Sequence, residues 1–91
     1  MSVYFSSLKP RPLAAMMLLS MGKNNSESAA ILRISKQAVH GIAIRLLNRT
    51  QFSNKFILYD KFRIWAEKME LNTEDLIKKV VENAQSVSTE T

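Results

Sequence analysis

The stretch "NSESAAILRISKQAVHGIAIRLLNR", residues Asn25 to Arg49, has the outline of two short helices joined by a tight turn at Arg33-Ile34. Asn24 or Ser26 can cap the first helix, and Glu27 follows Asn24 by three residues, the spacing of a capping box. That helix is expected over 26–32. Ser35 is placed to cap the second, expected over 36–48, in which Val39, Ile42, Ala43 and Leu46 fall at i, i+3, i+4 and i+7 on one stripe. Two placements run against habit. Arg33 occupies a turn position that commonly takes positive φ, which costs a non-glycine residue on the order of 1 kcal/mol. Gly41 lies mid-helix, where glycine costs roughly 0.5–1 kcal/mol relative to alanine. Helical projection puts Gly41 on the Gln37–Arg45 side, away from Val39 and Ile42. A gap there admits another backbone, or it marks a kink.

These residues resemble the helix-turn-helix of DNA-binding repressors and activators. The resemblance is carried by Ala29 between the helices, Leu32 and Ile34 flanking the turn, Ser35 opening the second helix, and Val39 and Ile42 facing the core. It covers about twenty residues. It implies a second helix that enters the major groove with its N-terminal residues on base edges. Ser35, Lys36, Gln37, His40, Gly41 and Ile44 are then the DNA-facing positions. Gln37 suits a bidentate pair with adenine, and Lys36 suits guanine or a phosphate. Ser35 and the helix N-terminus suit a phosphate. Ile44 fits a thymine methyl or the core equally well. Arg45 and Arg49, toward the C-terminal end, suit phosphates better than bases, and Arg33 would set its guanidinium beside the backbone.

Upstream, "SVYFSS" is short, aromatic and β-prone, and reads as a strand or an arm. "KPRP" interrupts regular structure. A helix over 12–21, apolar on every side, follows and stops at Gly22. Downstream, "RTQFSNKFILYD" has two readings. In one, Ser53-Asn54 turns a short β-hairpin, a wing. In the other, Ser53 caps a helix over 54–70. Leu58, Phe62, Trp65 and Met69 recur at 4, 3 and 4, so a helix over 60–69 is expected in either case, with 55–59 undecided. Asn72, with Asp75 three residues on, caps a last helix bearing Leu76, Ile77, Val80, Val81 and Ala84. The expected class is mainly α: a helical bundle around a central helix-turn-helix. Residues 1–50 form the DNA-binding region, 51–85 a dimerisation or core-closing region, and 86–91 a frayed tail.

Charge divides the chain in the same way. Residues 1–50 hold seven Lys/Arg against Glu27 alone, a net of +6; residues 51–91 hold six against seven Asp/Glu, a net of −1. The basic half suits a polyanion. The balanced half suits subunit contact, since helix-turn-helix dimers hold their reading helices roughly 34 Å apart. Phe62, Trp65, Met69, Leu76, Ile77, Val80 and Val81 are the candidates for that interface, or for closing the monomer core.

Enzymatic chemistry is not expected. Two glycines make no phosphate loop, and the chain has no cysteine and a single histidine, His40, so neither a Cys–His pair nor a metal site is expected. No cofactor is expected. Leu13–Met21 follows Lys9 and Arg11 as a signal peptide's apolar region would, but it is short and is broken by Ser20. It is also far below the ~20 apolar residues of a membrane span. The absence of cysteine is compatible with a reducing cytoplasm, the expected location. The function that follows is a sequence-specific, dimeric DNA-binding regulator, most naturally a repressor. The alternatives are an architectural or partition protein, or an interaction module whose basic face meets an acidic partner.

Overall fold

The computed structural model describes the backbone of residues 2–90 and the side chains of residues 4–82. Among these the chain forms six helices: α1 (Ser2–Ser6), α2 (Pro10–Ser20), α3 (Asn25–Leu32), α4 (Lys36–Thr50), α5 (Lys55–Lys68) and α6 (Thr73–Glu90).

The bundle is organised around α2. Ala14, Ala15, Met16, Met17, Leu18 and Leu19 are all buried, so the helix is covered on every side, as its unbroken apolar run requires. It packs against α3, α4, α5 and α6. Pro10 and Pro12 both sit in its first turn, where an N–H has no helical acceptor to lose.

Helix boundaries follow from caps. The Asn24 side chain accepts the Glu27 N–H (2.7 Å) and the Glu27 carboxylate accepts the Asn24 N–H (3.1 Å), a complete capping box on α3. Ser35 accepts the Ala38 N–H (3.0 Å) on α4, and Asn72 accepts the Asp75 N–H (3.0 Å) on α6. The C-terminal ends use left-handed residues. At Gly22 (φ 96°) the Lys23 N–H reaches back to the Leu18 carbonyl at 3.1 Å; at Arg33 (φ 58°) the Ile34 N–H reaches Ala29 at 3.1 Å. Both are Schellman closures. Glu70 (φ 54°) ends α5 the same way, through Leu71 N–H to Ala66 at 3.2 Å.

The structure corrects some expectations and decides between alternatives in others. "SVYFSS" is neither strand nor arm: it supplies α1, whose Phe5 is 1 % exposed. Phe5 meets Phe62 edge-on at 5.2 Å and Trp65 at 5.5 Å, and this aromatic contact fixes the short helix. No strand occurs among the described residues, so there is no wing. Asn54, not Ser53, is the cap of α5: its side chain accepts both Phe56 N–H (3.0 Å) and Ile57 N–H (3.1 Å). The β-prone run after it is drawn into the helix by burial of Leu58, one turn before Phe62 on the same face. Finally, Phe62 and Val80 are not at a free surface. They are 0 % and 2 % exposed within the single chain, the burial expected of residues that close the monomer core. Trp65, Leu76 and Ile77 are half-buried against the same core, and Val81 is half-buried as well; of the seven candidates only Met69 is well exposed.

Among the described residues one core group is unsatisfied. Ser28 is fully buried in α3, and its Oγ has no hydrogen-bond partner. A buried hydroxyl without a bond costs about 1–3 kcal/mol. Ser28→Ala is therefore expected to raise unfolding stability by about 1 kcal/mol in a urea titration. A loss instead would mean that the hydroxyl is bonded in solution.

Candidate nucleic-acid interface

α4 is 15 residues, about 22 Å long at 1.5 Å per residue. Val39, Ile42, Ala43 and Leu46 are buried and seat it against the bundle. At about 100° per residue the opposite face is centred on Gln37, His40, Ile44 and Asn48, with Gly41 between them. All four of these side chains are exposed. Ile44, which suited groove or core equally on sequence, is 41 % exposed and points outward. Asn48 is an addition to the expected set.

Gly41 has open space above it. A Cβ built there meets no atom within 4 Å, so no close helix contact among the described residues explains the glycine. Gly41→Ala should consequently stabilise the fold by roughly 0.5–1 kcal/mol, measured as a rise in thermal or urea midpoint. A fall would reveal a close contact absent from this arrangement.

The remaining expected residues take definite places. Ser35 and Lys36 open the helix, exposed. Arg33 is exposed at the turn with its backbone at φ 58°, the left-handed conformation expected for that position. Arg45 and Arg49 are exposed on the side of α4 nearest the α1–α2 connection. There they line a cleft of about 320 Å³ with Lys9, which sequence spacing did not connect to them. That cleft carries three cations and no carboxylate.

A larger cleft, about 630 Å³, lies at the other end of α4. Lys36 lines it together with Lys23 from the turn after α2 and Lys55 and Arg63 from α5. Asp60 is its one carboxylate and is bonded to Arg63 at 2.6 Å, the only ion pair among the described residues. Four cations against one carboxylate leave a net of +3. Only folding brings these groups together; in the sequence Lys23, Lys36 and Lys55 are isolated lysines.

The outward strip of α4 thus offers hydrogen-bonding and apolar groups along its middle and cations at both ends. Between Glu27 and Asp60 the sequence contains no Asp or Glu at all, so nothing on α3, α4 or the connection to α5 beyond that first turn repels a phosphate. No group of three or more His, Asp or Glu suited to a metal ion occurs among the described residues. No helix there is long and apolar enough to cross a membrane. No protein-family model, curated protein or solved structure matches this chain.

Proposed function

We propose that the chain is a duplex-DNA-binding regulator that reads the major groove with α4 and acts as a dimer, in the manner of a repressor. The observation that supports it best is the carboxylate-free outward face of α4, with Lys36 at one end and Arg45 and Arg49 at the other. A helix of this diameter fits the ~12 Å major groove, and its flanking cations fall where the groove's phosphates run. Gln37 and Lys36 in the first turn are the base readers. His40, Ile44 and Asn48 follow on the same face, and Arg45 and Arg49 hold phosphates. Gly41 lowers the profile of the strip so that a duplex approaches the backbone closely. Two such helices roughly 34 Å apart require a second subunit. Met69, still exposed in the single chain, remains a residue such a contact would cover.

The test is a mobility-shift titration on DNA from upstream of the gene, with a competitor duplex present. Lys36→Ala with Gln37→Ala should lose ~1–3 kcal/mol of discrimination at particular base pairs while non-specific binding persists. Gly41→Leu should fold and yet bind the duplex more weakly. If neither variant changes binding while both stay folded, α4 is not the reading element. An interaction module with an acidic partner would give no DNA phenotype in either.

A further inference from the structure

The larger cleft has features that duplex binding does not use. Its walls come from separate elements: the turn after α2, the start of α3, the start of α4 and the first half of α5. Lys23, Lys36 and Lys55 line it and make no ion pair among the described residues. Three unneutralised ammonium groups around one concavity repel one another, and an anion placed among them removes that repulsion.

The lining also holds aromatic surface. Phe56 is 71 % exposed, the most exposed large apolar side chain described, and Lys55 Nζ lies 5.5 Å from its ring centroid. Tyr59 contributes a second ring. It is half-buried, and burial pushes its phenol above the ordinary value. Open aromatic faces beside a cationic groove are the combination that takes an unpaired nucleobase with its phosphate. A paired base offers no free face to Phe56, so the duplex proposed for α4 leaves this ring unused. The volume, about 630 Å³, is within the usual range of small-molecule sites.

We propose that this cleft binds a nucleotide with an unpaired base, its phosphate among Lys23, Lys36 and Lys55 and its base stacked on Phe56. The site shares Lys36 with the reading proposed for α4, but none of its tests contains a duplex, so the two fail separately.

Calorimetric titration of the full chain with deoxyadenylate, deoxyadenosine and inorganic phosphate tests it. Deoxyadenylate should bind one to one and at least tenfold more tightly than either phosphate or the nucleoside. Phe56→Ala, at an exposed position that leaves the core untouched, should weaken deoxyadenylate about tenfold and leave phosphate unchanged. Lys23→Gln with Lys55→Gln should weaken both. Repeating the titration with the single-stranded tetramer of deoxyadenylate distinguishes the source. If the monomer binds more tightly the ligand is a free nucleotide, and if the tetramer does it is a strand; either supports the site when the gain is lost in Phe56→Ala. The proposal is overturned if deoxyadenylate binds no better than phosphate, or if Phe56→Ala folds and binds it unchanged.

Discussion

Replacing Phe62 by alanine is expected to remove most of the protein's stability, about 3–5 kcal/mol, and to do so independently of protein concentration. Phe62 is fully buried, 5.2 Å from the Phe5 ring and 5.6 Å from Trp65. Truncation leaves a cavity where α1 meets α5 and removes two aromatic contacts, each worth about 0.5–1.5 kcal/mol beyond burial. A chain of this size has roughly 5–14 kcal/mol in all, so the variant sits near the unfolding threshold. Urea titration followed by Trp65 fluorescence reads the loss, since Trp65 touches the deleted ring. Concentration decides what the loss means. Were Phe62 at a subunit contact, the size of the defect would shift with dilution. A residue buried in its own chain gives a defect that does not. A loss under 1 kcal/mol, or one that disappears on dilution, would contradict its place in the monomer core. Phe62→Leu, which retains much of the apolar bulk, should lose clearly less.

The Phe62 assignment shows where sequence reading reaches its limit. The stripe Leu58, Phe62, Trp65 and Met69 identifies a buried face, and α5 has one. A stripe does not say whether the cover comes from the same chain or another. Here α2 provides most of it, and α1, a five-residue helix too short to show any periodicity, adds Phe5 against Phe62. Local chemistry was far more legible. Asn24 with Glu27, Ser35, and Asn72 with Asp75 each cap the helix they were read to cap, because capping depends on groups within three residues. Arg33 takes the left-handed turn for the same local reason, closed by the Ile34 N–H bond to Ala29. The Ser53-Asn54 stretch was ambiguous because Phe56, Ile57 and Tyr59 favour a strand by intrinsic preference, whereas burial of Leu58 favours a helix. Tertiary packing decides, and a short window does not contain it. The exposed face of α4 was legible through its buried stripe, since what is not on the stripe faces out. Its flanks were not: Lys9 joins Arg45 and Arg49, and Lys23 and Lys55 join Lys36, only across the fold.

Those flanks carry the second large expectation. Lys9→Gln, Arg45→Gln and Arg49→Gln together should weaken duplex binding by roughly 10²–10³-fold near 0.1 M salt, with the fold intact. The estimate follows from counterion release. Each phosphate contact contributes about 0.9 to the slope of log affinity against log salt, which is close to tenfold per contact at that ionic strength. The same variant should therefore make the slope shallower by about 3. All three side chains are exposed and make no ion pair among the described residues, so glutamine removes charge without breaking a structural bond. The salt slope separates two roles that affinity alone confuses. Gln37→Ala should change preference at one base pair and leave the slope where it was, because an uncharged reader releases no counterion. A matched control removes three cations elsewhere: Lys61, Lys68 and Lys78 are exposed on α5 and α6 and line neither of the two clefts at the ends of α4. If that control lowers affinity and slope as far as the Lys9–Arg45–Arg49 variant, the attraction comes from net charge alone and the α4 face has no privileged part in it. If the control leaves both nearly unchanged, the phosphates lie along α4, because a uniformly basic molecule loses binding equally wherever a charge is removed.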